Sequence, residues 1–499
     1  MSAGPLRIVR LANFVAPASG GLRTALRELG KGYRAAGHEP VLVVPGDRAS
    51  DRDTEQGRVI TLPGPLLPGT GGYRVLTDKR RVAGLLAHLA PDRLEVSDRT
   101  TLRWTGKWAR RARVPAVMVS HETADGVLRT WGLSEGAARR AADSLNIRTA
   151  HTYARVVCTT EYAEREFVRI GARNVVRAPL GVDLTERHPT LADTGLRARY
   201  ARDDQVLLVT CTRLSVEKRP GTALDALESL VRRGTRAVLV VAGDGPLRGR
   251  LEQRARDRGL PVVFLGHVSD RGLLGALQAS ADVCLAPGPA ETFGLAALEA
   301  MACGTPVVAS ASSALPEVIG AAGTTAADHG DAFADAVEAL LERPPVERRE
   351  AARARAECFG WGTAVKAFLA AHDAGVLSGS GVGDDRTAAS LSGVGDDWTV
   401  PSRSGGGGGT VLARSDADDG TERVRSDAGE GTERVRSDAG GAALPVGSDV
   451  GGTTPPVRSD VGGTTPPVRS DVGGTTPRVR PDVHDGTAPS RPVVAGGLG

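Results

Sequence analysis

The sequence has few aromatic residues: Phe, Tyr and Trp together fill 3% of its 499 positions. It has fewer lysines still. Only Lys31, Lys79, Lys107, Lys218 and Lys366 occur, so arginine is the default base and a lysine in a special place carries information. The five cysteines, Cys158, Cys211, Cys284, Cys303 and Cys358, include no C-x-x-C pair. That argues against a zinc ribbon and leaves buried free thiols in a reducing compartment as the expectation. No run of about 18 apolar residues is present, so no membrane-spanning helix is expected. Arg7 and Arg10 interrupt the first apolar stretch, against a signal peptide. A cytoplasmic location is the expectation.

From Gly375 to the end, 125 residues contain no Ile, Met, Phe, Tyr, Cys or Lys, five Leu and one Trp. Such a segment cannot bury enough apolar surface to offset its chain entropy. It is also repetitive. Ser-Gly-Val-Gly-Asp-Asp occurs at 380–385 and 392–397, and Arg414, Arg425, Arg436, Arg458, Arg469 and Arg480 recur at a period of 11. The intervening Gly and Pro forbid a helix, so residues 375–499 are expected to be a disordered tail whose partner, if it has one, is unknown. The tail has 12 Arg against 17 acidic residues, a balance of −5. With +4 for the whole chain, the remainder carries +9. That balance suits an anionic ligand or an anionic membrane face. It lacks the dense basic stripe of a nucleic-acid binder, so no nucleic-acid partner is expected.

In the first 374 residues, short apolar runs alternate with amphipathic stretches. Strands are predicted at 7–11, 40–44, 94–96, 116–119, 156–158 and 175–177, then at 206–211, 237–242, 262–265, 282–286 and 306–309. Helical patterns lie between them, as in Gly21–Ala36 with Leu22, Ala25, Leu26 and Leu29 at i, i+3, i+4 and i+7. Strand–helix alternation implies a doubly wound parallel sheet, and two series imply two sheets. The Pro-punctuated segment 178–190 is read as the linker. Trp361, Val365, Phe368 and Leu369 share one face of a last helix, which packs either on its own domain or on the first.

Ligands of such sheets bind beyond the carboxyl ends of the strands. Four places there can carry chemistry. Gly20 and Gly21 open the first helix, where backbone N–H groups can approach a phosphate; the spacing is not the dinucleotide fingerprint. Arg213 and Lys218 follow the strand 206–211 and can together neutralise a diphosphate leaving group without metal. Glu291 and Glu299 flank a helix expected to start at about Phe293, with the N–H groups of Phe293, Gly294 and Leu295 free for phosphate oxygens. Glu299 lies among Ala, Met and Cys, where an ionised group needs a partner. His121, in Ser120-His121-Glu122, follows the strand 116–119. Asp51-Arg52-Asp53 matches a metal-binding D-x-D, but is read as a polar loop far from any strand end. Gly243, in a Gly-Asp-Gly-Pro turn with Pro246 placed to open a helix, can line a nucleotide pocket.

Across residues 7–374 these features resemble the retaining GT-B glycosyltransferases of family 4. The resemblance rests on E-x7-E at Glu291 and Glu299 around Phe293-Gly294-Leu295, and on R-L-x-x-x-K at 213–218. V-V-A-G-D-G-P at 240–246, F-L-G at 264–266 and M-A-C-G-T-P-V-V at 301–308 complete it. The first domain matches more loosely, with Leu180 where the family commonly has Asn in N-G-V-D. The family implies two facing Rossmann-like domains, here an acceptor-side domain at 1–185 and a donor domain at 186–357. A helix at 358–374 would cross back to the first domain. It implies Arg213 and Lys218 on the diphosphate, Glu299 on the ribose and Glu291 on the sugar ring. Gly20 or Gly21 would reach the phosphate, Gly243 would line the pocket, and His121 would lie near the reaction centre. No metal and no cofactor are expected beyond the nucleotide-sugar donor. The stretch 95–103, with 108–111 and 120–122, is similar to a mannosyltransferase-like subset from high-GC Gram-positive bacteria. That makes GDP-mannose the first donor expected, and a lipid, glycolipid or other glycan the acceptor. A same-fold transferase using UDP-glucose or UDP-GlcNAc on a small-molecule acceptor, and a catalytically idle binding protein with a partner-binding tail, are the alternatives. Arg103, Arg110, Arg111 and Arg113 could approach anionic headgroups, which would make the protein peripheral on the inner membrane face.

Overall fold

The computed structural model describes residues 4–15, 20–67, 72–130 and 132–373. The tail read above as disordered lies outside the described residues. Eight strands form the first sheet: β1 (Arg7–Leu11), β2 (Glu39–Gly46), β3 (Ser50–Thr54), β4 (Gly57–Pro63), β5 (Arg93–Val96), β6 (Ala116–Ser120), β7 (Arg155–Cys158) and β8 (Val175–Arg177). Six form the second: β9 (Val206–Cys211), β10 (Ala237–Ala242), β11 (Val262–Gly266), β12 (Val283–Ala286), β13 (Val307–Ser310) and β14 (Thr324–Ala326). The spatial orders are β3-β4-β2-β1-β5-β6-β7-β8 and β11-β10-β9-β12-β13-β14. All described ladders are parallel except β3 on β4. Central strands are apolar and buried along their length, as Ala237–Ala242 is, because helices cover both faces of a parallel sheet.

Three expectations change. Asp51 and Asp53 sit in β3, a strand of a hairpin with β4, and not in a loop. Their carboxylates face arginines: Asp51 pairs with Arg58 at 2.6 Å and Asp53 with Arg34 at 3.4 Å. The helix after Gly243 starts at Arg248, beyond Pro246. Cys358 is exposed, whereas Cys158, Cys284 and Cys303 are buried and Cys211 is half-buried. Burial pushes the Cys158 and Cys284 thiols up to about 12, which removes both as nucleophiles at neutral pH.

Among the parallel strands of each sheet the order reverses once, between β1 and β5 and between β9 and β12. Loops leaving those strands diverge to opposite faces and open a crevice at their carboxyl ends. The chain passes between the sheets twice, and the passages touch: Val182 N–H donates to the Phe359 carbonyl at 2.8 Å.

After the second passage the helix Trp361–Ala371 lies against Gly21–Ala35 of the first domain. It buries Ala364, Val365, Phe368 and Leu369. His372, just beyond its end, is buried beside Glu95, with Nε2 and Oε2 3.1 Å apart. Glu95 also accepts from Arg10 Nε at 2.8 Å and from the Tyr33 hydroxyl at 2.7 Å. Burial alone would raise the Glu95 carboxyl. The Arg10 charge and the His372 hydrogen bond outweigh it and hold the group well below the usual range. Arg155 and Arg93 donate to the last carbonyls, Ala370 and His372, at 2.8 and 2.7 Å. Cations at a helix C-terminus are favourable there.

The two helices pack tightly at Gly32, where an added Cβ would lie 2.1 Å from Val365 Cγ2. Gly32→Ala is therefore expected to lower the melting temperature. Overpacking costs about 1–3 kcal/mol, more than the roughly 1 kcal/mol alanine gains in helix propensity. Adding Val365→Ala should recover much of the loss relative to Val365→Ala alone. A Gly32→Ala protein melting at or above the parent would contradict this packing.

Candidate functional site

The loops from both crevices converge on one cleft. Helix Gly21–Ala35 begins after β1, with Gly20 as its N-cap. A Cβ on Gly21 would lie 3.5 Å from Leu295 Cδ1, so this helix start faces that of the second-domain helix Leu295–Ala302. Each presents first-turn N–H groups without intrahelical partners, and each carries the positive end of a helix dipole. Two such ends across a narrow cleft favour an anion between them.

The second helix starts at Leu295, two residues later than its sequence suggested. Gly294 caps it at φ 80°. A Cβ there would also lie 2.2 Å from Leu315 Cδ2, so glycine is required on both counts. The available first-turn donors are shifted accordingly toward Leu295 and Ala296. The Phe293 side chain is buried and meets Phe359 edge-on at 5.9 Å. It therefore anchors the second interdomain passage.

Lys218 and Glu291 come together, with Nζ 2.6 Å from Oε1. Lys218 leaves β9 through a short 3-10 turn at Val216–Lys218, and Glu291 follows β12, the strand beside β9 across the switch point. Loss of hydration pulls the Lys218 pKa down, but the Glu291 charge and hydrogen bond outweigh it and the group stays cationic. The Arg213 guanidinium stacks over the Tyr73 ring of the first domain, 4.6 Å from its centroid. Its Nη2 lies 3.5 Å from Glu217. Gly243 follows β10 and lies against the loop after β9, where a Cβ would fall 1.8 Å from the Thr212 carbonyl oxygen. Cys211, Thr212, Gly288, Glu291, Gly294 and Ala297 line a common crevice; Gly243 stands behind Thr212.

Glu299, one turn into its helix, is raised in pKa by burial, and Arg187 opposes the shift. Arg187 Nη2 lies 4.0 Å from its Oε2. This arginine is 2% exposed, and its Nε has no partner. It is the partner the carboxylate required. It comes from the linker segment 112 residues earlier, which sequence spacing could not connect to Glu299.

In the first domain, His121 leaves β6 half-buried, its Nε2 3.1 Å from Ser97 Oγ at the end of β5. Loss of solvent around the ring pushes its pKa down to about 4, so the imidazole is neutral at physiological pH. Its carbonyl accepts from Thr292 Oγ1. The Thr160 hydroxyl donates to the Thr292 carbonyl at 2.9 Å. Thr292 thus ties the loop carrying Glu291 to the wall carrying His121. Thr292, Tyr73, Ser97 and Arg187 were not found from sequence. Each acts through a partner on another loop, and none belongs to a local motif.

The chain was compared with known proteins. The family model described as "Glycosyl transferases group 1" matches residues 195–357, and "Glycosyl transferase 4-like domain" matches 20–181. A GDP-mannose-dependent alpha-(1-6)-phosphatidylinositol dimannoside mannosyltransferase of Mycobacterium tuberculosis is 51% identical over 369 residues, covering 73% of this chain and 95% of that protein. A GDP-mannose-dependent alpha-mannosyltransferase of Mycolicibacterium smegmatis is 28% identical over 353 residues, 69% of this chain and 90% of the relative. Among solved structures, a sucrose-phosphate synthase from Thermosynechococcus elongatus superposes with a TM-score of 0.60 at 22% identity, covering 72% of this chain and 96% of that one. Anabaena HepE in complex with UDP and glucose gives 0.57 at 18%, covering 73% and 98%. These structural likenesses carry the fold, and the half-identical relative carries the family: the chain is a GT-B glycosyltransferase and belongs to family 4, the glycosyl transferases group 1.

Proposed function

We propose that this enzyme transfers a mannosyl unit from GDP-mannose to a hydroxyl of a phosphatidylinositol-type mannolipid, with retention at the anomeric carbon. One observation carries the reading. Lys218 and Glu291 meet beside the start of helix Leu295–Ala302, in a chain half identical to a GDP-mannose-dependent mannosyltransferase. The bond from the anomeric carbon to the diphosphate oxygen breaks, and its electron pair leaves on the phosphate. An ammonium has three N–H donors; Lys218 commits one to Glu291, leaving two for phosphate oxygens. Arg213 and the two facing helix starts, at Gly21 and Leu295, share the developing charge. Glu299, held by Arg187, accepts from the ribose hydroxyls, and Glu291 from the mannose. The acceptor oxygen attacks on the face the phosphate is leaving, and its proton passes to the departing phosphate oxygen. His121 stays neutral against the sugar, a hydrogen-bonding group that adds no charge to the cleft. The arrangement needs no divalent metal, because the protein supplies the cations.

Lys218→Ala is expected to lower kcat/KM on the order of 10²-fold or more in a GDP-release assay. Near-normal turnover would remove the diphosphate role. Chelator is expected to leave the rate unchanged; loss of activity restored by added Mg²⁺ or Mn²⁺ would overturn the metal-free reading. In an NMR titration the His121 ring should change its shift at a midpoint near 4. A depressed histidine pKa adds stability above the unfolded value of about 6.5, lost as pH falls toward 4. Activity should therefore show no inflection from His121 between pH 8 and 6. A midpoint above 7 would put a cation beside the sugar at neutral pH and contradict the neutral role.

A further inference from the structure

Lys218 is followed by a residue in an uncommon conformation. Arg219 has φ 43° and ψ 49°, the left-handed region that favours glycine. Among the described residues, Ala90 and Arg113 are also left-handed, but they close helices, where such a residue is common. Arg219 has no such slack. It ends the 3-10 turn Val216–Lys218 and at once caps the start of helix Pro220–Arg232. Pro220 follows it, and a residue before proline favours extended backbone. The conformation is disfavoured on both counts, and strain of this kind persists only where the surroundings impose it.

Several contacts impose it. The Lys218 and Arg219 N–H groups donate to the Ser215 and Val216 carbonyls at 3.1 and 3.2 Å, and the Arg219 carbonyl accepts from Thr222 N–H at 3.0 Å. Pro220 is buried at the head of its helix, which fixes where that helix begins. Arg219 Nη1 lies 3.6 Å from Oδ2 of Asp328, which follows β14. The other Asp328 oxygen accepts from Ser310 Oγ at the end of β13. An exposed ion pair contributes little by itself, but the Asp328 side chain is only 20% exposed and is anchored by that serine. A right-handed residue at 219 would run the turn straight on into the helix and carry Lys218 round with it. An extended one would lengthen the loop. The left-handed bend leaves Lys218 Nζ 2.6 Å from Glu291 Oε1.

We propose that Arg219 is a positioning residue: its left-handed backbone, tethered through Asp328 to the ends of β13 and β14, aims Lys218 into the cleft. The proposal rests on the role given above to Lys218, and it assigns Arg219 no contact with the donor.

The test is a cycle of variants in the full-length protein, read by GDP release from GDP-mannose with a phosphatidylinositol-type mannolipid. Arg219→Ala keeps a side-chain carbon at the left-handed position and cuts the tether. Its kcat is expected to fall on the order of 10-fold, since small misplacements of a reacting group are costly. Arg219→Gly also cuts the tether, but glycine holds the bend without strain, so it should lose clearly less. In a Lys218→Ala background Arg219→Ala should cost nothing further, because residues that act as a unit do not add. A loss that multiplies there, or equal losses in the Ala and Gly variants, would mark a merely structural role and overturn the proposal. A second readout does not need turnover. With five lysines in the chain, nitrogen-15 lysine NMR resolves individual ammonium groups. The Lys218 signal, identified by its loss in Lys218→Ala, should shift in Arg219→Ala and stay near the parent position in Arg219→Gly. A signal that does not move in Arg219→Ala overturns the proposal. If that signal moves while Lys218→Ala turns over normally, the positioning stands and the diphosphate role of Lys218 falls.

Discussion

The cleft depends on the register in which the chain crosses between its two sheets. That register is fixed where Val182 donates to the Phe359 carbonyl. Phe359 then meets Phe293 edge-on. Phe293 immediately precedes Gly294, the left-handed residue that sets the direction of helix Leu295–Ala302. A backbone bond at the crossing is thus two packed rings away from the helix start that faces Gly21. Beyond the crossing, the terminal helix is held by His372 on Glu95 and by Arg93 and Arg155 on its last carbonyls. The first domain is therefore gripped from both ends of the second passage. The two helix starts need only a few ångströms of misplacement to lose a shared anion, since such effects fall off within the first turn.

The same geometry explains the distribution of charge. An ionised carboxylate without a partner is costly in a half-buried cleft. Glu291 has Lys218, Glu299 has Arg187 and Glu217 has Arg213. None of these is a closed, fully buried pair. The Lys218–Glu291 pair keeps roughly a fifth to a quarter of each side chain exposed, so a ligand can compete for both partners. By contrast, the Arg10–Glu95 pair is 1–2% exposed and satisfied on several sides. Removing either member would strand a buried charge. The protein uses buried pairs to fix the frame and half-open ones along the cleft.

Much of this was legible in the sequence because the informative signals are local. A buried parallel strand is a short apolar run, and the residue after its carboxyl end points into the crevice. Arg213, Lys218, His121 and Glu291 each sit within a few residues of such an end, and the fold brings them to one cleft. Other features were misread or missed for physical reasons. β3 is polar throughout, Ser-Asp-Arg-Asp-Thr, and exists because it pairs with β4 at the sheet edge. The helix after Glu291 was placed too early because Phe293 and Gly294 read as apolar continuations; a Cβ-free residue at positive φ has no sequence mark of its own. Arg187, Tyr73 and Thr292 gain meaning only from residues between 112 and 171 positions away.

Arginine's dominance also separates frame from chemistry. Its planar guanidinium is weakly hydrated and can bridge several carbonyls while buried. Partly buried Arg353 donates to Leu184, Arg187 and Ala302 and stitches the linker to the second domain. Arg10, Arg99 and Arg348 are fully interred. A compact ammonium is poorly suited to that work: it is strongly hydrated and offers three donors around a point. Under the proposed function, those properties suit a charge that must hold a carboxylate and still turn toward an incoming phosphate. In a sequence that writes arginine almost everywhere, Lys218 stands where a rotatable point charge serves better than a planar fork. Its exchange for arginine would keep the charge and lose the geometry.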